Sequence, residues 1–192
     1  EIHLDEDRND LRDEGTILRA QRVLLATGVA DVLPPVEGLA ECWGTSVIHC
    51  THCAAWEHRG HAWAVVADHP GYAAVAASIV APWTSDVVVC ASDDIAALRH
   101  EAGRLRAVEL TDGSLVERDT VLWHLPQRPV PLITHLAERR SLALDAHGFV
   151  VVDDRYRTNL PGIFAAGDAA SKAQTAIAAM SAAATAAHWL VQ

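Results

Sequence analysis

Apolar residues fall in short runs divided by polar turns. Val23-Leu24-Leu25-Ala26 is continuous rather than alternating, which fits a strand buried on both faces. It ends at Thr27-Gly28, where glycine permits a turn that a side chain would obstruct. Further strands are expected over Thr16–Arg19, Trp63–Val66, Asp86–Cys90 and Thr120–Trp123. A helical pattern runs from about Gly71 to Ala81, and Asp93-Asp94 is expected to cap another helix. Arg104–Leu110 and Ser114–Glu117 flank Thr111-Asp112-Gly113, a hairpin signal. Strand, helix, strand, helix, hairpin, strand describes a small nucleotide-binding type of α/β unit. Pro34-Pro35 with Gly38, and Gln127 to Pro131, read as linkers on either side of it. Beyond the second linker, Phe149–Val152 and Ile163–Ala166 read as strands, and an alanine-rich helix is expected from about Gln174 to Leu190. The middle unit therefore reads as a domain inserted into another.

Composition narrows this picture. The chain has 192 residues, 51% of them apolar, which is enough for a sizeable core. A net charge of -10 argues against a nucleic-acid surface, which needs a basic patch. No run reads as a membrane span and no secretory signal is recognised, so a cytoplasmic protein is expected. An acidic turn is read over Asp5–Gly15. The chain opens inside what reads as a strand, so a fragment is expected.

The most reactive arrangement is Cys50-Thr51-His52-Cys53. Two cysteines at this spacing close a small disulfide ring or hold a metal, and the thiolate is the working species in both cases. His49 and His52 flank the pair as candidate bases or ligands. A zinc knuckle would need a second pair of ligands, and Cys42 and Cys90 stand alone. Redox chemistry is therefore preferred and no metal is assigned. Cys42 and Cys90 read as small buried hydrophobes. Trp56 reads equally as core or as substrate wall. A second constellation is Thr158-Asn159-Leu160-Pro161-Gly162-Ile163-Phe164-Ala165-Ala166-Gly167-Asp168. Its terminal acid, at the carboxyl edge of a strand, is placed to bond a sugar hydroxyl or to cap a helix.

Taken in order, Ala26-Thr27-Gly28, then Cys50-x-x-Cys53, then Pro161-Gly162-Ile163-Phe164-Ala165-Ala166-Gly167-Asp168, then Ala173-Gln174-Thr175, the chain resembles the thioredoxin-reductase-like FAD-dependent oxidoreductases. The resemblance covers nearly the whole chain. It implies an α/β fold: a FAD/NAD(P)-binding, Rossmann-like, two-domain pyridine nucleotide-disulfide oxidoreductase fold with an incomplete FAD domain. The divisions are then 1–38 and 129–192 for the FAD domain and 39–128 for an inserted NAD(P)-binding-like domain carrying the cysteines. The resemblance also implies FAD as cofactor, with Thr27, Gly28, Gly167, Asp168, Ala173, Gln174 and Thr175 around it. Cys50 would exchange with the outside thiol, Cys53 would face the flavin, and the protein would be a homodimer.

Three departures refine the expectation. The family's first glycine-rich loop is absent and is expected upstream in the whole protein. After Ala64-Val65-Val66 the second such loop is replaced by Ala67-Asp68-His69-Pro70-Gly71-Tyr72, whose acid would repel a pyrophosphate. Where a basic cluster is expected for a 2′-phosphate, the sequence has Ala91-Ser92-Asp93-Asp94. These losses argue against NADPH as electron source. The surroundings of the cysteine pair, through Trp56-Glu57, are similar to the dithiol oxidase subgroup of the gliotoxin and holomycin type, in which a dithiol is the reductant and oxygen the acceptor. Ala54 departs from the acid or histidine that usually follows the second cysteine, so the proton-handling group stays open between His49 and His52. Two rivals remain: a reductase fed by NADPH or another donor and acting on a thioredoxin-like protein, and a non-catalytic binding remnant of the fold.

Overall fold

The structure, a computed structural model, describes residues 20–192. The acidic turn over Asp5–Gly15 and the strand over Thr16–Arg19 lie outside the described residues. In chain order the elements are β1 (Val23–Leu25), β2 (Val29–Asp31), α1 (Leu39–Cys42), β3 (Val47–Ile48), α2 (Thr51–Ala54), β4 (Trp63–Val66), α3 (Pro70–Val80) and β5 (Val87–Cys90). There follow β6 (Ile95–Glu101), β7 (Arg104–Leu110), β8 (Leu115–Glu117), β9 (Thr120–Trp123), β10 (Gln127–Pro129), α4 (Pro131–Arg140), β11 (Ile163–Ala165) and α5 (Ala176–Leu190). They form two compact units. One is Asp31–Pro126; the other is the chain up to Ala30 together with Gln127–Gln192.

The inserted unit is built on a parallel sheet of order β3-β9-β4-β5, with an antiparallel sheet β6-β7-β8 beside it. Every residue of β4 and of β9 is buried. Side chains alternate between two faces along a strand. Ala64, Val66, Val121 and Trp123 therefore join Ile95, Leu98, Leu105 and Val108 of the antiparallel sheet in one core. Trp63, Val65 and Leu122 point the other way, into a second core with Ala76 and Val80 of α3. Two covered faces explain the continuous apolar runs.

In the inserted unit two expectations fail. Asp93 and Asp94 do not cap a helix: Ser92–Asp94 is one 3-10 turn, and the chain continues as β6. Ile95, Ala97 and Leu98 are buried there, and β6 pairs antiparallel with β7, so tertiary pairing overrides the acidic cap signal. Pro34-Pro35 is no free linker either, since Leu33 and Val36 pack against the core.

In the other unit, β1 and β11 lie parallel, with Val23, Leu24 and Leu25 opposite Ile163, Phe164 and Ala165. Leu25 and Ala165 face a core with Ile133 of α4, Leu142 and Val150. Leu24 packs on the opposite side with Ala182 and Ala186 of α5. The stretch from Gln127 to Pro131 is β10, paired with β2, followed by Pro131 in the first turn of α4. Phe149–Val152 is not a strand. Val150 forms an isolated bridge with Leu144, while its N–H goes to the Ala169 carbonyl and that of Val151 to Ala143. Its backbone groups are satisfied by loops, so no ladder forms. Among the described residues, no helix is long and apolar enough to cross a membrane.

Candidate active site

The sulfur pair sits where β3 gives way to α2 in the inserted unit. Cys50 is extended, at φ -139 and ψ 117, and its carbonyl accepts the N–H groups of Cys53 and Ala54. One helical turn therefore brings position 53 back beside position 50. The Cys53 thiol donates to the Cys50 sulfur at 2.9 Å. That hydrogen bond first, then burial and the nearby Cys50 sulfur, hold the Cys53 thiol above its ordinary range. Cys53 thus keeps its proton and presents it to Cys50. Cys53 is the more exposed of the two; Cys50 is half-buried. This arrangement is a dithiol able to close a disulfide and to exchange with a partner thiol.

His49 stacks on Trp43, with ring centroids 6.0 Å apart and planes inclined by 24°. His52 lies within α2. Among the described residues, no hydrogen bond joins either imidazole to either sulfur. Trp56 is not part of the core: it is 63% exposed, and the Arg59 guanidinium lies 4.1 Å over its ring. Cys42 is fully buried and Cys90 half-buried. Among the described residues, no three His, Cys, Asp or Glu side chains are grouped to hold a metal ion.

At the carboxyl edge of β4 and β5, where an open α/β sheet binds its ligands, two backbone N–H groups are already taken by side chains of the chain. The Asp68 carboxylate, just past β4, accepts the Ser92 N–H just past β5 at 2.6 Å. His69 is the N-cap of α3, and its Nδ1 accepts the Gly71 N–H at 3.0 Å. Burial first, then the Asp94 and Asp68 carboxylates, push the Cys90 thiol up to about 11. Carboxylates and a filled cap are poor partners for a pyrophosphate.

In the other unit, Thr27-Gly28 and Gly167-Asp168 leave the same edge of the β1–β11 pair, and the Ala166 N–H extends the ladder to the Leu25 carbonyl. A Cβ on Gly28 would meet nothing within 4 Å. One on Gly167, at φ +72, would come within 3.7 Å of the Ala179 methyl of α5. Small residues therefore keep this edge open to a ligand. A cavity of about 470 Å³ opens here, lined by Val152, Asp153, Asp154 and Tyr156, by Gly167, Ala170, Ser171 and Ala173, and by Ala178, Ala179, Ser181 and Ala182 of α5. That volume falls within the usual span of small-molecule sites, about 300–1,000 Å³. Thr175 caps α5, its Oγ1 accepting the Ala178 N–H at 3.2 Å. Gln174 donates through Nε2 to Oε1 of Gln127 at 2.6 Å. Of the residues read from sequence, Gly167 and Ala173 line the cavity itself. Thr27, Gly28 and Asp168 stand along the same edge, with Gln174 and Thr175 just ahead of α5. Sequence reading missed Gln127: a partner 47 residues away leaves no local signal. The small residues of this lining suit the flat ring system of a flavin cofactor, and Asp153, Asp154 and Ser171 are groups that would bond the hydroxyls of its chain.

Comparison with known proteins identifies the family. The pyridine nucleotide-disulphide oxidoreductase family profile matches residues 84–183. The chain is 31% identical to the thioredoxin reductase tcpT of Claviceps purpurea, over 85% of this chain and 60% of that protein. It superposes on the crystal structure of HlmI with a TM-score of 0.72 and 28% identity, covering 88% of this chain and 59% of that one. It is also similar in fold to the putative thioredoxin reductase TrxB of Bacillus anthracis, with a TM-score of 0.74, 24% identity and coverages of 88% and 63%. The chain thus spans about three fifths of the length of these relatives.

Proposed function

We propose, from the premise that this chain belongs to the pyridine nucleotide-disulphide oxidoreductase family, that it is a FAD-dependent enzyme oxidising a dithiol to a disulfide with oxygen as acceptor. The observation that carries the thiol chemistry is the Cys50–Cys53 pair, its sulfurs 2.9 Å apart at the head of α2. The oxidase direction draws support from the carboxyl edge of β4 and β5. Asp68 on the Ser92 N–H and His69 on the Gly71 N–H use the groups that a pyridine nucleotide phosphate would need. FAD would be held by Thr27, Gly28, Gly167, Asp168, Ala173, Gln174 and Thr175. When bound, it accepts two electrons from the reduced pair and passes them to oxygen. A cytoplasmic homodimer accompanies this proposal.

In the chain's own chemistry, a substrate thiolate attacks the Cys50 sulfur of the oxidised pair. The Cys50–Cys53 bond breaks, a mixed disulfide forms at Cys50, and Cys53 leaves as a thiolate. The second substrate thiolate attacks the substrate sulfur of the mixed disulfide; the bond to Cys50 breaks, Cys50 leaves as a thiolate, and the product disulfide is released. Two electrons now reside on the cysteine pair.

Aerobic incubation of the full-length protein with a small dithiol tests this. One hydrogen peroxide should form per disulfide, and both Cys50→Ser and Cys53→Ser should abolish turnover. Turnover surviving either substitution would refute the role of the pair.

A further inference from the structure

We infer that Gln127 is a positioning residue for the cofactor edge, acting through Gln174; the inference rests on the flavin reading above. Gln127 opens β10, and β10 pairs with β2, which starts one residue past Gly28. The strand pair thus puts Gln127 beside the chain that leaves the β1 edge. Gln174 belongs to the loop before α5. That loop is held by short local bonds: Ala173 N–H to Ser171 Oγ, Gln174 N–H to the Lys172 carbonyl, and Thr175 N–H to the Ala173 carbonyl. These bonds fix the backbone and leave the direction of the Gln174 side chain to its own contacts. The bond of 2.6 Å from Gln174 Nε2 to Gln127 Oε1 ties the loop to a strand. Both side chains are half-buried, so the bond is partly shielded from competing water.

A carboxamide carries donors on one edge and an acceptor on the other. With one N–H committed to Gln127, the edge of Gln174 that bears the acceptor is set before a ligand arrives. The pyrimidine edge of a flavin alternates donors and acceptors, so it distinguishes the two orientations of the amide. Gln127 therefore acts by pre-orienting Gln174 and does not itself touch the ring.

The test uses the full-length protein and the variants Gln127→Leu, Gln174→Leu and the double. Free FAD is titrated back into stripped protein, and the absorption spectrum of the bound flavin is recorded. Each single substitution should weaken FAD binding about tenfold, the size of one lost hydrogen bond in a shielded site, and should displace the flavin band. The double variant should lose no more than the worse single. Gln127→Glu keeps an acceptor for the Gln174 N–H and should retain wild-type affinity within about twofold. If Gln127→Leu does not fold, Gln127→Ser replaces it, being too short to reach Gln174. A yellow wild type with an unmoved affinity and spectrum in Gln127→Leu, or additive losses in the double, would overturn this inference alone. A colourless wild type that takes up no FAD would overturn the flavin reading and this inference together.

Discussion

Cys53 donates its proton to Cys50, and that hydrogen bond is the foremost reason its thiol sits above the ordinary range. Replacing Cys50 by alanine removes the acceptor. The Cys53 pKa should then fall, its thiolate fraction at pH 8 should rise, and alkylation by iodoacetamide should be several-fold faster. An unchanged or slower rate would mean that burial, not the partner sulfur, governs Cys53. The pair was legible in the sequence because its spacing encodes its geometry. Asp68 was legible as an acid in the wrong place for a phosphate, but its grip on the Ser92 N–H was not, because that partner is 24 residues away. Trp56 shows the limit: a tryptophan near a cysteine pair gives no sign of which side it faces, and here it faces solvent beneath Arg59.

At the scale of elements, β4 does the most to hold the inserted unit together. Trp63 is fully buried and its Nε1–H donates to the His58 carbonyl at 3.0 Å. Trp63→Ala should cost about 3–5 kcal/mol, read as a lowered midpoint in urea, because it leaves both a cavity and an orphaned carbonyl. A cost under about 1 kcal/mol would contradict this packing. The turn before β4 carries a second prediction. His58 and His61 both direct Nδ1 at the buried Thr120 hydroxyl, at 2.9 and 3.3 Å. Burial first, then His61, hold His58 below the ordinary histidine value of 6.5, against the opposing pull of Glu57 and the Thr45 carbonyl. The unfolded chain therefore binds the proton more readily. This contribution to stability is complete above the unfolded value and is lost as pH falls through the lowered folded one. Melting temperature should drop between pH 7.5 and pH 5, and the drop should be smaller in His58→Gln. Equal drops in the two proteins would remove His58 as the cause. Strands with both faces covered, such as β4 and β9, were readable from apolar runs. β6 was not, since Asp93-Asp94 imitates a helix cap and only pairing with β7 reveals the strand. The Phe149–Val152 stretch erred the other way, a β-rich run in which the N–H groups of Val150 and Val151 find the carbonyls of Ala169 and Ala143 instead of a neighbouring strand.

At the scale of the whole molecule, two units divide the labour. The inserted unit, Asp31–Pro126, carries the sulfur pair and an edge of its parallel sheet closed by Asp68 and His69. The other unit offers an open edge of glycines and alanines beside α5. The sequence motifs led to both edges, because each lies directly after a strand whose apolar run is plain. The central claim is that electrons enter through the sulfur pair and not through a pyridine nucleotide. It is tested most directly by mixing the full-length protein, without air, first with NADPH and then with a small dithiol, while following the yellow flavin absorbance. The account predicts that the colour survives NADPH and bleaches on dithiol. Bleaching by NADPH alone would contradict it.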